Sequence, residues 1–116
     1  MPTTDGLTLL IDDVRYFRDG RPCLVARSSA DGVRLLETHS CAQIDNLWLD
    51  HDLVGHDDIW PVMRLLEDAA LRGAPLNIGM VHVHASRSLA RHQMMITLRR
   101  SGYTATRSTD LGMWTW

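Results

Sequence analysis

Two adjacent carboxylates, Asp12 and Asp13, follow an apolar run near the start of the chain. Side by side they repel each other unless a cation or an arginine lies between them. A divalent ion such as magnesium or manganese takes oxygen ligands of this kind. An isolated pair can equally cap a turn or helix, with the second carboxylate solvated. A second cluster, Asp50-His51-Asp52, also follows an apolar run. In extended chain Asp50 and Asp52 share one side and His51 points away from them. These carboxylates could bind a metal, orient a histidine or act as a base; a polar loop closing over the next helix is the plainer alternative. His82 and His84 are two apart, so both can face one side of a strand. Such a pair can transfer protons or ligate a transition metal. His84, nearer the strand end, is read as functional, while His82 divides evenly between a substrate contact and a histidine satisfied inside the sheet. Arg87 and Arg91 open the following helix, whose N-terminus favours anions and whose guanidinium forks suit phosphate. Solvated surface is the default for both.

The elements that must position these groups alternate between strand and helix. Leu7 to Ile11 is an apolar run of strand length that ends at Asp12. Asp19-Gly20 and Pro22 mark a turn, and Cys23 to Ala26 reads as a second strand. Ser28 or Ser29 can cap a helix running to about Thr38, with Ala30, Val33 and Leu36 on its inner face. Ile44 to Leu49 is the third strand. Gly55 breaks the chain, Asp57 or Asp58 can cap the next helix, and Pro61 falls in its first turn. Ile59, Met63, Leu66 and Ala70 form its stripe and Gly73 its stop. Ile78 to Val83 is the fourth strand. Ser86 or Ser88 starts a helix with Ala90, Met94 and Leu98 inward, ended by Gly102. Tyr103 to Thr106 reads as a fifth, edge strand. This alternation predicts an α/β, doubly wound, flavodoxin-like or receiver-like domain spanning 1–116: five mainly parallel strands in the order 2-1-3-4-5, with helices on both faces. Ligands of such sheets bind beyond the carboxyl ends of the strands, which is where all three polar clusters fall.

The composition is that of one globular domain: 116 residues, 45% hydrophobic and 22% charged, enough to bury a core. No run approaches the roughly 20 apolar residues of a membrane span, and the N-terminus carries no secretory pattern. Cys23 and Cys41 lack metal-type spacing and read as free, buried thiols of a cytoplasmic protein. The net charge of −2 argues against a general nucleic-acid coat. Every basic residue is arginine, and Arg15, Arg18, Arg21 and Arg27 cluster near the N-terminus. The apolar tail from Leu111 to Trp116, with two tryptophans, invites a contact such as a homodimer.

Taken together, Leu10-Ile11-Asp12-Asp13-Val14-Arg15, Leu49-Asp50-His51-Asp52-Leu53 and Val83-His84-Ala85-Ser86 with Arg91 and Met94 resemble the cyclic-phosphate-processing receiver domains, a divergent branch of the response-regulator receiver fold. The resemblance implies that Asp12, Asp13 and Arg15 form the first motif. It aligns Asp50, His51 and Asp52 with the second, His84 with the strand-four histidine, and Arg91 with the arginine of the next helix. Ala85, Arg87 and Ala90 depart from the serine, asparagine and glycine usual in that segment, and His82 is an addition. Signalling receivers need a lysine after the fifth strand, and this chain has no lysine, so a phosphorylation switch is not expected.

The reading that follows is a phosphoesterase opening a cyclic phosphate, either in a small cyclic nucleotide or at an RNA 3′ end. His84 would be the acid or base, His51 the second candidate, and Asp50 the residue that orients a histidine. Arg15, Arg91, Arg87 and His82 would contact substrate. Asp12, Asp13, Asp50 and Asp52 would hold a divalent metal if one is used. A bacterial or phage defence setting fits such an enzyme. The alternative is a non-catalytic, degenerate receiver that docks a partner or sequesters a cyclic nucleotide.

Overall fold

The computed structural model describes residues 6–53, 55–108 and 114–115. Five parallel strands form the main sheet: β1 (Leu7–Ile11), β3 (Leu24–Ala26), β4 (Ile44–Leu49), β5 (Ile78–Val83) and β6 (Ala105–Arg107). Their order is β3-β1-β4-β5-β6, which is the expected 2-1-3-4-5 once a short strand, β2 (Tyr16–Phe17), is counted separately. That strand pairs antiparallel with β7 (Trp114–Thr115) in a ribbon of its own. The rest of the predicted apolar tail, residues 111–113 and 116, lies outside the described residues. No described helix is long and apolar enough to cross a membrane.

Three helices connect the strands: α1 (Ser29–Thr38), α2 (Trp60–Leu71) and α3 (Ser88–Arg100). Ser28 caps α1, its hydroxyl accepting from the Asp31 amide at 3.1 Å. Asp58 accepts from the Trp60 amide at the start of α2, where Pro61 sits in the first turn. Gly73 and Gly102 terminate α2 and α3 at φ of 78° and 90°, a region that strains any residue with a Cβ. The inner face of α1 is rotated from the expected one. Ser29, Gly32 and Leu36 are buried while Ala30 is exposed, because Gly32 lets the helix approach Ile11 and Val62 so closely that a Cβ would stand 3.0 Å from each.

The coverage of the sheet differs from the doubly wound expectation. A single cluster joins Leu9 and Ile11, Leu47 and Leu49, Val81 and Val83 to Leu36 of α1, Met63 of α2 and Met94 of α3. Strand side chains alternate between faces, so all three helices share one face. Leu10 and Trp48 point to the other, where Phe17 of the ribbon closes on them. No described helix covers that side. The 12 residues between β1 and β3 form a turn and β2 instead of a helix, because Asp19-Gly20 and Pro22 break any helical period there.

Trp48 and His82 are neighbours on β4 and β5. Their rings stack at 3.9 Å with 7° between planes, and His82 Nε2 lies 2.8 Å from Asn46 Oδ1. His82 is therefore tied across strands into the sheet, the structural one of the two roles left open for it. His82→Ala is expected to cost about 1–3 kcal/mol, the sum of an aromatic contact and a hydrogen bond, and to leave any turnover within about threefold. Chemical denaturation alongside the activity assay tests it; a large loss of activity at full stability would return His82 to the site.

Candidate functional site

The parallel register builds the site. Ile11 pairs with Leu49, and Leu49 pairs with Val83. The next residue of each strand is Asp12, Asp50 and His84, so the three stand in one row. Backbone bonds carry the ladder one residue past the strands: the amides of Asp12, Asp50 and His84 donate to the carbonyls of Ala26, Ile11 and Leu49 at 3.1 Å each. The row continues the alternation of Leu10, Trp48 and His82, and the His84 ring lies 6.4 Å from Trp48.

Asp12 and His84 form a buried pair. His84 Nε2 lies 2.7 Å from Asp12 Oδ2, with side chains 3% and 0% exposed. The other carboxylate oxygen, Oδ1, accepts from the amides of Val14 and Arg15 at 3.0 and 2.9 Å. Burial alone would raise the Asp12 pKa, but the bonds from His84, Arg15 and Val14 outweigh it and hold the value near 2. Asp50 goes the other way, to about 6, through burial and then the Asp12 charge, with His84 and Arg15 offsetting part of the rise. Asp13 is raised by burial and by the same neighbouring charge.

The donor set fits a divalent cation. One ligand atom from each of Asp12, Asp50 and His84 lies within 4.8 Å of the others, and burial and then the Asp12 charge, which raise the Asp50 pKa, are both effects a cation would offset. The set differs from the expected one: His84 joins it, whereas Asp13 and Asp52 fall outside. Extended chain stops at Leu49, so the side-to-side alternation that would place Asp52 beside Asp50 lapses. The chain bends, Asp52 bridges to Asp58, and the Ile59 amide donates to the His51 carbonyl. Asp52 then receives His51 Nδ1 at 2.9 Å on one oxygen and Arg87 Nε at 3.2 Å on the other. Arg87, expected to grip substrate, is thus tied to the β4–α2 loop. Arg91 is held at the site's edge, donating to the Ala85 carbonyl at 3.2 Å.

Three positioning residues were not legible beforehand. Arg27 follows β3 as Asp12 follows β1, and its Nη1 donates to the carbonyls of Asp12 and Arg15 at 3.1 and 2.6 Å. It buttresses the turn that presents both residues; an arginine one place beyond a strand was the available signal. Of the two candidates to cap α2, Asp58 does so, while Asp57 accepts from the Ser29 amide and hydroxyl at 2.7 and 2.5 Å, fastening the β4–α2 loop to α1. Tyr103, expected in the edge strand, lies just before it and donates to the Leu66 carbonyl at 2.8 Å. The thiols differ from expectation too: both are free, but Cys41 is exposed and Cys23 half-buried.

Asp50→Asn is expected to stabilise the metal-free protein at alkaline pH. The folded pKa is raised, so the proton binds the folded state more tightly than the unfolded one. The stability that this proton contributes is lost as pH rises from about 4 through about 6. Ionised Asp50 then costs on the order of 2 kcal/mol at pH 8, which the amide removes. Thermal melts in chelator at pH 4 and pH 8 test this: the variant should exceed wild type at pH 8 and match it at pH 4. Equal melting at pH 8 would contradict it.

The sequence profile of the cyclic-phosphate processing receiver domain matches residues 7–100. No curated protein matches the chain at a significant level.

Proposed function

Because the chain belongs to the cyclic-phosphate processing receiver domain family, we propose that it hydrolyses a cyclic phosphate ester, with His84 as the acid–base residue. The buried His84–Asp12 pair at 2.7 Å carries this reading. If Nε2 donates to the carboxylate, the lone pair of the neutral ring falls on Nδ1. Asp12 thus selects a tautomer, holds the ring still and stabilises the imidazolium that forms when Nδ1 takes a proton. In hydrolysis, water adds its oxygen to phosphorus, one ring P–O bond breaks, and the departing oxygen gains a proton. His84 accepts the proton from water. His51, held by Asp52 at 2.9 Å, is the candidate donor to the leaving oxygen. Arg15 and Arg91 supply charge to the phosphoryl oxygens, and their preorganised donors act where negative charge builds up. A divalent cation held by Asp12 and Asp50, magnesium or manganese by the carboxylate donors, would withdraw charge from the phosphoryl group; with His84 as its third ligand the ring would leave acid–base use and that role would pass to His51.

A second reading is favoured by one observation: the His84 side chain is only 3% exposed, as suits a residue that shapes a binding site without reacting. In that case the chain is a receiver-like module that binds a cyclic phosphate and does not turn it over. Purified protein with a panel of 2′,3′-cyclic and 3′,5′-cyclic nucleotides, with magnesium, manganese or chelator, separates the two. Ring-opened product supports the enzyme; saturable binding with no product at any metal supports the module.

A further inference from the structure

A groove between α3 and β6 shares only Arg91 with the site described above. Arg91, Met95 and Arg99 repeat every four residues along α3 and so share one face. Arg107 faces them from β6, and the depressions they line measure about 420 and 480 Å³. Ser88 and Ser108 line the groove near the carboxyl edge of the sheet, where the Ser108 amide donates to the Val83 carbonyl. Among the described residues, no carboxylate lines either depression. Four other arginines are matched: Arg21 with Asp19, Arg34 with Asp31, Arg87 with Asp52 and Arg100 with Glu67. Arg99 and Arg107 have no acidic partner among the described residues. Gathering three guanidinium groups without a counter-charge is unfavourable unless an anion joins them. The buried Ser108 hydroxyl also lacks a hydrogen-bond partner among the described residues.

We propose that this groove binds the phosphodiester backbone of a single-stranded oligonucleotide. Arg91 and Arg99 stand about 12 Å apart along the helix axis, two turns at 1.5 Å per residue. One phosphate cannot engage both ends of the groove, whereas consecutive phosphates of a strand can. Arginine forks recognise each phosphate in two-point contacts, and the buried Met95 gives sugars an apolar floor. Arg91 touches the loop that follows His84, so the groove leads up to the site. The inference rests on the proposed function only in the choice of substrate: a polymer end threads into the site, and a free mononucleotide does not need the groove.

The test uses a short single-stranded RNA ending in a plain 3′-hydroxyl, so that binding is read without catalysis. Fluorescence anisotropy should show salt-dependent binding. Arg99→Gln with Arg107→Gln should weaken it roughly tenfold or more and flatten the salt slope by about 0.7 per arginine removed. Arg34→Gln, an equal charge change on α1, should leave binding unaltered. Any turnover of a cyclic mononucleotide should be unchanged in both variants. Equal weakening by Arg34→Gln, wild-type binding by the double variant, or displacement of the RNA by equimolar inorganic phosphate would each overturn the groove. If the RNA binds as expected but no cyclic phosphate is turned over, the proposed activity fails and the groove stands.

Discussion

His84→Ala is expected to lower turnover of a cyclic phosphate by about 100- to 10,000-fold, the usual worth of a positioned acid or base. The ring is buried against Asp12, and both partners are all but inaccessible. Alanine therefore removes more than the proton carrier. It leaves the Asp12 carboxylate short of a donor in a dry setting, so the variant also loses stability, by about 3 kcal/mol or more. His84→Gln separates the two effects, because its amide can still donate to Asp12 Oδ2 while offering nothing that titrates. Its fold should survive and its turnover should fall as far as that of alanine. Steady-state kinetics beside circular dichroism on both variants gives the answer. A folded His84→Gln protein with near wild-type turnover would remove His84 from the chemistry and leave His51 as the acid–base residue.

Asp12→Ala should be the most destabilising single substitution at the site, at about 3–5 kcal/mol. One oxygen of Asp12 fixes the turn through the Val14 and Arg15 amides, and the other pairs with His84. Losing the carboxylate frees both at once. The same interactions predict how wild type responds to acid. The folded pKa near 2 lies below the ordinary value of 3.8. The carboxylate thus contributes stability that is fully present above about pH 4 and is lost as pH falls towards 2. That contribution amounts to about 2 kcal/mol. Urea melts of wild type and Asp12→Asn at pH 3 and pH 7 measure it, and the gap between them should narrow at the lower pH. A gap that is constant across this range would mean that Asp12 contributes by shape alone.

Much of this molecule is legible along the chain. Apolar runs that end in Asp12, Asp50 and His84 announce parallel strands with their polar residues at one edge. Serine, proline and glycine at the helix ends set the helix boundaries nearly to the residue, because capping and left-handed geometry are local. The strand order follows from right-handed crossovers between neighbours in sequence. These are rules of short range or of chirality, and one sequence suffices to apply them.

The tertiary structure decided which polar residues meet. Asp12 and His84 are 72 residues apart, and only the register of β1, β4 and β5 brings them to 2.7 Å. Asp50 and Asp52 are two residues apart, yet they part company because pairing of Asp52 with Asp58 bends the chain just past β4. Asp57 serves a helix that begins 28 residues earlier, and Arg27 supports a turn on a neighbouring strand. That no described helix covers one side of the sheet was likewise invisible to periodicity, which shows that a strand is buried on both faces but not what buries it. Spacing along a chain fixes the side a residue faces while the element lasts. Beyond the element's end, long-range hydrogen bonds choose the partner.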